Sequence, residues 1–438
     1  MGNNPCFCQD FCPDIAAGTD QLAGRRMASR RHRQLTNVGP PISLERVTLS
    51  SEFVPSRIKS TDPLHEQWNL TLAEREVFRV RAREARLAKD AAAAGLGGAP
   101  LHEVNVPTFD PETLMPQQDD NELSTLSLFS GGGGLDLGFH RAGFDQRGSW
   151  EIMPDAAETL RRAHPSWSVH GGEAGDVRGV DWKPWRGNVA VLHGGPPCQP
   201  FSNAGKQRGA SDPRDMWPEF VRAVLQTRPE VFVAENVAAL ASATFSEYVE
   251  ENILQPLQRH YHIRKVLMQA YEYGVPQVRK RVVFFGFRTK TLAKRWVAPT
   301  PRYKRPGDAK SDLPAAIGAR AALGLADIGF DDVSPTIRSG LSGPRNTTSI
   351  LSSVSAQRRF EALQIWPNGV AASREAASAY VTKNGHFRLS VADVALLQGF
   401  PESWRFAGAT YMQLGQIGNS VVPPVAYAVA SSVADALR

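Results

Sequence analysis

The chain has 438 residues, of which 42% are hydrophobic and 21% are charged, so we expect a folded protein of two or three domains. Lys and Arg number 50 against 44 Asp and Glu, and the net charge of +6 permits a nucleic-acid partner without requiring one. Four cysteines are too few for a disulfide scaffold of this size. The sequence shows neither an apolar run of membrane-spanning length nor a signal-peptide core, which predicts a soluble, cytoplasmic protein.

Residues 1–120 are interpreted as an N-terminal extension. The first 60 mix polar, Pro and Arg residues and predict a flexible basic arm. Thr71 and Glu74 then form a capping-box pair, and apolar residues at helical spacing follow, so we predict a helix. A solvated surface helix is favoured over a helix that reads DNA.

Residues 121–287 are predicted to form the first folded domain. Its short, apolar, β-prone runs lie at 125–130, 149–152, 189–193, 230–234 and 282–287. Helical patterns such as 154–163 and 217–225 separate several of these runs. The alternation predicts an α/β fold with a mostly parallel sheet covered on both faces.

Residues 288–386 lose that rhythm and are rich in Pro, Gly, Ser, Arg and Lys, which predicts an inserted, smaller, loop-rich domain. Between residues 288 and 385 there are 15 Lys or Arg and 7 Asp or Glu, a net charge of +8. The basic excess of the whole chain is therefore concentrated in this region. Helical patterns return in the C-terminal segment 387–438, at 391–397 and 422–437.

A glycine-rich loop follows the first predicted strand and precedes a helix. Glycines such as Gly131, Gly133 and Gly134 let a ligand approach backbone N–H groups at a helix N-terminus. A nicotinamide dehydrogenase is excluded, because the third glycine of the dinucleotide pattern is missing. Glu151 at the end of the next strand is suited to ribose hydroxyls, and Asp176 to an adenine amino group. Together these residues predict an adenosyl cofactor.

Cys198 lies just past a predicted strand and is flanked by Pro196, Pro197 and Pro200. A free thiol is most often a buried structural residue, but the rigid flanks and the polar loop that follows favour a nucleophilic thiolate. The other cysteines crowd the first dozen residues without a His or Cys partner at finger spacing, so we expect no metal site.

Two further motifs carry charged side chains at strand ends. Glu235 follows a predicted strand, where an ordinary exposed carboxylate is the simpler interpretation. Gln277, Arg279 and Arg281 alternate along another strand, which would direct their side chains to one face. A solvated strand edge would explain this row equally well.

Taken in order, these motifs closely resemble those of the cytosine-5 DNA methyltransferases of restriction–modification systems. The resemblance runs from about residue 123 to the C-terminus. It rests on the Phe129-Ser130-Gly131 loop, Glu151, Asp176, Pro196-Pro197-Cys198-Gln199-Pro200-Phe201-Ser202, Glu235-Asn236-Val237, Gln277-x-Arg279-x-Arg281, Leu397-Gln398-Gly399-Phe400-Pro401 and Gln416-Ile417-Gly418-Asn419-Ser420-Val421-Val422-Pro423-Pro424. One departure is Ser127, where the family often has Asp.

The resemblance implies a Rossmann-like, S-adenosylmethionine-dependent methyltransferase with a target-recognition domain at 288–386 and a last helix that rejoins the catalytic domain. It implies that Cys198 attacks carbon 6 of cytosine and that Glu235, with a raised pKa, supplies a proton or hydrogen bond at ring nitrogen 3. It places Arg279 near the cytosine carbonyl oxygen, with Arg281 orienting that group. The implied cofactor contacts are Phe129, Gly131, Gly133, Gly134, Glu151, Ile152, Asp176, Val177, Pro196, Asn419 and Val421.

The resemblance also implies that the target base is flipped out of double-stranded DNA. Ser202, Lys206 and Arg208 belong to the loop expected to close over the site, where they would touch phosphates. Arg338 and Arg345 in the recognition region are equally suited to guanine edges and to phosphates. We expect a monomer that is functionally paired with a restriction endonuclease.

Two alternatives are weaker. A transfer-RNA cytosine methyltransferase shares the Pro-Pro-Cys motif but usually lacks so basic an insert. A catalytically inactive DNA-binding regulator would not need intact Cys198, Glu235, Arg279 and Arg281.

Overall fold

The structure is a computed structural model that describes residues 76, 79, 80, 103–197, 215–339, 348–351, 353–366, 369–379, 382 and 385–438. Several predictions lie outside the described residues: the basic arm, the capping box of the first predicted helix, and the side chains of Cys198, Ser202, Lys206, Arg208 and Arg345. Of that predicted helix, Glu76, Arg79 and Val80 are described, and all three are helical.

A seven-stranded mixed sheet with the order β3-β2-β1-β4-β5-β7-β6 forms the centre of the described chain. Its strands are β1 (Ser124–Leu128), β2 (Asp145–Glu151), β3 (Val169–Gly171), β4 (Val191–Gly194), β5 (Val231–Val237), β6 (His262–Gln269) and β7 (Lys280–Phe287). The first five strands are mutually parallel, and β7 runs antiparallel to β5 and to β6. The α/β prediction with a mostly parallel sheet is confirmed.

Helices cover both faces of the sheet and continue into the C-terminal half. They are α1 (Gly134–Arg141), α2 (Pro154–Ala163), α3 (Trp217–Thr227), α4 (Ser246–Val249), α5 (Gln255–Gln258), α6 (Lys290–Arg295), α7 (Ala319–Ala322), α8 (Val354–Ala362), α9 (Arg374–Ser378), α10 (Val391–Leu397), α11 (Thr410–Asn419) and α12 (Pro423–Leu437). Short 3-10 turns join several of them, and a π-helical stretch, Glu250–Leu254, separates α4 from α5.

Local sequence explains where the clearest helices begin. Pro154 opens α2 and Pro423 opens α12, because proline is accepted in the first helical turn, where its missing N–H is not needed. Ser390 and Asp393 form a reciprocal capping box at the start of α10. These signals are local, so the predicted bounds of α2 and α10 agree with the structure.

Two apolar cores pack against the opposite faces of the sheet. One contains Phe139 of α1 and much of α12, and the other contains Trp217 and Phe220 of α3. Several buried residues between 319 and 389, such as Phe360, belong to the same core as α12. The last helix therefore packs with the central sheet and shares its core with the 288–386 region.

Residues 103–120, which fall within the predicted N-terminal extension, pack onto the rest of the described chain. Asn105 Nδ2 donates to the carbonyl of Leu323 and to Oδ1 of Asp393, both at 3.0 Å, and Met115 is fully buried. These residues are thus part of the folded structure described for the chain.

One apolar stretch in the described part of the chain, Thr410–Leu437, is long enough to cross a membrane. It comprises α11 and α12, and 72% of its most apolar window is buried within the protein. This burial is typical of core helices.

Candidate active site

The site lies at the carboxyl ends of β1 and β4, where the chain leaves β1 in one direction and β4 in the other. Such a switch point opens a crevice between the loops that follow the two strands. The loop after β1 carries Phe129, Ser130 and Gly131, and the loop after β4 carries Gly195, Pro196 and Pro197. A cavity of about 280 Å³ lies between them. Residues on its wall include Phe129, Gly131, Trp150, Glu151, Ile152, Met153, Asp176, Val177, Pro196, Met216, Glu235, Arg279, Arg281, Asn419, Ser420 and Val421.

At one end of the cavity, Glu151 is held by backbone groups. Its Oε2 accepts the N–H of Gly131 and its Oε1 accepts the N–H of Met153, each at 2.7 Å. Burial raises the pKa of this carboxyl, the two N–H donors oppose the rise, and the nearby Asp136 adds to it. A carboxylate at the end of β2 with fixed orientation is suited to binding a diol.

The glycines of the loop after β1 differ in their surroundings: one lines the cavity, and two pack against other segments. Gly131 lines the cavity with a φ of 56°, a conformation that favours glycine. Gly133 and Gly134 are outside the cavity wall, contrary to the expected cofactor contact. A Cβ at Gly134 would lie 1.9 Å from the carbonyl oxygen of Val421, and one at Gly133 would lie 2.5 Å from Trp404. These two glycines let the C-terminal segment approach the loop.

Phe129 also has a left-handed backbone, with a φ of 56°. This conformation is strained for a non-glycine residue and is frequent at functional sites. Ser127 is the residue that departs from the family pattern. Its hydroxyl lies 2.8 Å from that of Ser130, so a hydrogen bond links β1 to the loop that follows it.

Asp176 lines the same end of the cavity but is engaged within the protein. Its carboxylate accepts the N–H of Arg178 at 3.0 Å and pairs with the Arg178 guanidinium at 2.6 Å. Val177 beside it is buried on the cavity wall. An adenine amino group would therefore share the Asp176 carboxylate with Arg178.

The other end of the cavity holds Glu235, on β5. It is 7% exposed, and the Nε of Arg281 on β7 lies 2.9 Å from its Oε1. Burial raises the pKa of Glu235, and the positive charges of Arg281 and then Arg279 oppose the rise. Burial therefore favours the protonated form of Glu235, and the two arginines favour the ionised form.

The segment that leads to Cys198 runs beside this glutamate. A Cβ at Gly195 would lie 3.5 Å from Oε2 of Glu235, and Asn236 Nδ2 donates to the carbonyl of Pro196 at 3.1 Å. Cys198 itself lies outside the described residues.

Arg279 differs from Arg281 in its partners. Its Nη1 donates to the carbonyl of Ile337 at 2.8 Å, and its Nη2 donates to those of Gly418 and Ser420 at 2.8 and 2.9 Å. It is 2% exposed, and its guanidinium faces the backbone of other segments. The two arginines therefore have different kinds of partner: Arg281 pairs with the carboxylate of Glu235, and Arg279 binds backbone carbonyls.

The C-terminal motif forms part of the cavity wall. Asn419 and Val421 line the wall, and Ser420 and Gly418 line it too. The sequence motifs did not mark the cavity residues Leu135, Trp150, Met153 and Met216, which are apolar.

The backbone of Arg338 lies against Gly418, a residue of the cavity wall. A Cβ at Gly418 would lie 2.4 Å from the carbonyl carbon of Arg338, so the two backbones are in direct contact. The general basicity of residues 288–385 is partly used inside the protein. Side chains with carboxylate or carbonyl partners are Arg288, Arg295, Lys304, Arg305, Arg320 and Arg374. Several of the basic side chains behind the net charge of +8 are therefore engaged within the protein.

Comparisons with known proteins agree with this geometry. The C-5 cytosine-specific DNA methylase family matches residues 123–435. Type II methyltransferase M.NgoMIV of Neisseria gonorrhoeae is 33% identical over 321 residues, covering 72% of this chain and 99% of that protein. Type II methyltransferase M.NaeI of Lentzea aerocolonigenes is 33% identical over 320 residues, covering 72% and 76%. A solved structure described as a prophage-encoded DNA modification methyltransferase of E. coli aligns with a TM-score of 0.50 at 24% identity, covering 72% of this chain and 99% of that one. This last likeness concerns the fold.

Proposed function

The chain belongs to the C-5 cytosine-specific DNA methylases and is a DNA (cytosine-5-)-methyltransferase, and from that premise we propose that it methylates a flipped-out cytosine in duplex DNA through a covalent intermediate with Cys198. One observation carries the proposal. A single cavity has Glu151 at one end and the Glu235–Arg281 pair at the other, with the loop to Cys198 between them.

The residues at the first end fit S-adenosylmethionine by their chemistry. Glu151 offers a carboxylate for the ribose hydroxyls, and Phe129 and Trp150 offer aromatic surface for the adenine. Asp176 offers an acceptor for the adenine amino group. S-adenosylmethionine, when bound, supplies the methyl group.

The residues at the second end are suited to a ring that gains negative charge. Addition of the Cys198 thiolate to carbon 6 makes carbon 5 nucleophilic and leaves charge on nitrogen 3 and the carbonyl oxygen. Glu235, whose pKa is raised by burial, holds the proton for nitrogen 3. After methyl transfer a base removes the carbon-5 proton, and the thiolate leaves as the ring double bond reforms.

We assign the charge at the cytosine carbonyl oxygen to Arg281 rather than to Arg279. Arg281 is paired with Glu235 at the cavity end, whereas both Nη atoms of Arg279 donate to backbone carbonyls. This exchanges the roles expected from the sequence. The reason is that the alternation along β7 does not reveal which backbone segments surround each side chain.

A paired cytosine reaches this enclosed cavity only after leaving the duplex. Ser202, Lys206 and Arg208, which lie outside the described residues, are proposed to contact phosphates from the closing loop. Arg338 and Arg345 are proposed to contact DNA from the recognition domain. We further propose a cytoplasmic monomer that protects DNA as the partner of a restriction endonuclease.

A methyl-transfer assay with tritiated S-adenosylmethionine tests the proposal on duplex DNA and on transfer RNA. We expect label in DNA, and Cys198→Ser should abolish transfer while DNA binding survives. Label confined to transfer RNA would overturn the substrate, and turnover by the serine variant would overturn the nucleophile. Bisulfite sequencing of DNA from cells that express the chain then gives the recognition sequence and the modified cytosine.

A further inference from the structure

Three segments that are distant in sequence meet at the buried side chain of Arg279. Its guanidinium binds the carbonyl of Ile337 in the 288–386 region and the carbonyls of Gly418 and Ser420 at the end of α11. Each donor–acceptor distance is between 2.8 and 2.9 Å. One side chain therefore cross-links the recognition region to the C-terminal motif.

The chemistry of these contacts calls for arginine. Because α11 ends at Asn419, the carbonyl of Gly418 lies in the last turn, where the helix itself has no N–H to offer. A planar guanidinium presents several N–H groups in a fixed fork and can serve separate carbonyls together, whereas an ammonium is a point charge. A positive charge is also favourable at the C-terminal end of a helix.

The recognition segment is held from a second side. The N–H of Ile337 donates to Oε1 of Gln277 at 3.2 Å, and Gln277 Nε2 donates to Oε1 of Gln398 at 2.8 Å. Gln398 Nε2 in turn donates to the carbonyl of Ser420 at 2.8 Å. The backbone at Arg338 then touches Gly418, where a Cβ would have no room. Residues 337–339 and 418–420 are thus fixed to each other by direct contact and by two polar links.

The same C-terminal segment forms a wall of the cofactor cavity. Asn419, Ser420 and Val421 line it together with Glu151. A shift of residues 337–339 on DNA binding therefore cannot leave the cofactor wall unchanged, because closely packed backbones move together.

We propose that Arg279 is a positioning residue that couples DNA binding at residues 337–339 to cofactor binding at residues 419–421, so that each ligand strengthens the binding of the other. The proposal rests on the proposed function, since it takes DNA and S-adenosylmethionine as the two ligands. Coupling between two binding sites is reciprocal, so it is measurable from either side.

Calorimetry on the full chain tests the coupling with S-adenosylhomocysteine, an unreactive probe of the cofactor site. Its dissociation constant is measured with and without a duplex that the wild-type protein has been shown to methylate. For the wild type we expect the dissociation constant without the duplex to exceed that with the duplex by a ratio of at least about fivefold, the lower end of ordinary coupling. Arg279→Lys keeps the charge but loses the fork, and we expect a ratio below about twofold.

Two further variants separate coupling from charge and from folding. Lys280→Ala removes an exposed positive charge at the next position and should keep the wild-type ratio. Gly418→Ala replaces glycine with a better helix former, yet its Cβ would collide with the Arg338 backbone, so the ratio should fall. This variant tests the link even if Arg279→Lys does not fold.

The outcomes are distinguishable. A ratio near one in the wild type, or a wild-type ratio in folded Arg279→Lys or Gly418→Ala, refutes the coupling while the proposed function stands. Loss of the ratio in Lys280→Ala also refutes it, because general electrostatics would then explain the effect. Absence of any methyl transfer to duplex DNA by the wild type refutes the proposed function itself.

Discussion

The two ends of the cavity each hold one buried glutamate, and the two carboxyl groups are stabilised by different partners. Glu151 accepts two backbone N–H groups, which carry no titratable charge and cannot rotate away. Glu235 faces the guanidinium of Arg281, which is a full charge on a flexible side chain. Burial raises both pKa values, but the opposing influence is a set of fixed dipoles at one end and mobile charges at the other.

The difference supports the roles proposed for the two ends, cofactor binding at Glu151 and proton transfer at Glu235. Fixed N–H donors suit a carboxylate that keeps one protonation state while it holds a ligand. An ion pair with a raised pKa suits a carboxyl that exchanges a proton as charge develops nearby. Substitutions at the two ends should therefore affect different steps, and the following experiments can break or sharpen that distinction.

The largest effect is expected for Glu235→Gln. The amide keeps the shape of the side chain but cannot deliver a proton, so kcat should fall about 10³-fold, within the usual range for general acids. Single-turnover methyl transfer measures the loss, and S-adenosylhomocysteine affinity should stay within about threefold. Glu247→Gln, at an exposed position on α4, is the matched control and should retain activity. If Glu235→Gln lost cofactor affinity by as large a factor as it lost kcat, the two ends of the cavity would not have separate roles.

A third carboxyl, Asp136, lies behind the cofactor end and is fully buried. Burial raises its pKa to about 6 from 3.8, against opposing hydrogen bonds led by that from Ser149. Between these two pH values the folded state keeps a proton that the unfolded chain loses. The free energy of unfolding therefore falls as pH rises through this window and stays lower above it.

Asp136→Asn removes that penalty. At pH 7 the variant should unfold with a free energy up to about 3 kcal/mol higher than the wild type, because each pKa unit is worth about 1.4 kcal/mol. The gain should shrink as pH falls through this window and vanish only at about pH 2.5, well below 3.8, where the wild-type carboxyl is neutral in both states. Denaturant melts at the two pH values test this, and a gain that is independent of pH would contradict it. The variant also relieves the repulsion that raises the pKa of Glu151.

Glu151→Gln should act on binding. A glutamine has one acceptor oxygen where Glu151 has two, so the N–H of Gly131 or of Met153 loses its partner. We expect about 30-fold weaker S-adenosylhomocysteine binding, equivalent to about 2 kcal/mol for a lost charge-assisted hydrogen bond. At saturating cofactor, kcat should change less than about threefold. The exposed Glu173→Gln serves as control, and a fall in kcat as large as that of Glu235→Gln would defeat the interpretation.

Much of the catalytic half of this structure can be predicted from sequence, because its signals are local. A proline at the first turn sets the start of α2, and the capping box sets α10, so their bounds agree with prediction. The strand β6 was missed because most of its side chains are exposed or half-buried and charged residues interrupt it. The strand β3 has only three residues, and α11 contains two glycines that weaken a helical pattern.

Prediction of the site from the sequence is also limited to residues that carry a local signal. Residues at strand ends, such as Glu151 and Glu235, could be placed because parallel strands bring their carboxyl ends together. The partners of Arg279 could not, since they are carbonyls at positions 337, 418 and 420 that no side-chain motif marks. The packing role of Gly133 and Gly134 was hidden for the same reason, because a segment about 290 residues later makes the contact.

The smallest effect is expected for a substitution at the contact between Gly134 and Val421. In Gly134→Ala the new Cβ would meet the carbonyl oxygen of Val421 at 1.9 Å, so residues 419–421 must move away from the glycine loop. Overpacking of this kind costs about 1–3 kcal/mol, and we expect about tenfold weaker S-adenosylhomocysteine binding with kcat at saturation nearly unchanged. Gly179→Ala is the matched control, because a Cβ there meets nothing within 4 Å. Unchanged cofactor affinity in folded Gly134→Ala would mean that the C-terminal segment is not part of the binding end, and the comparison of the two ends would then rest on Glu151 alone.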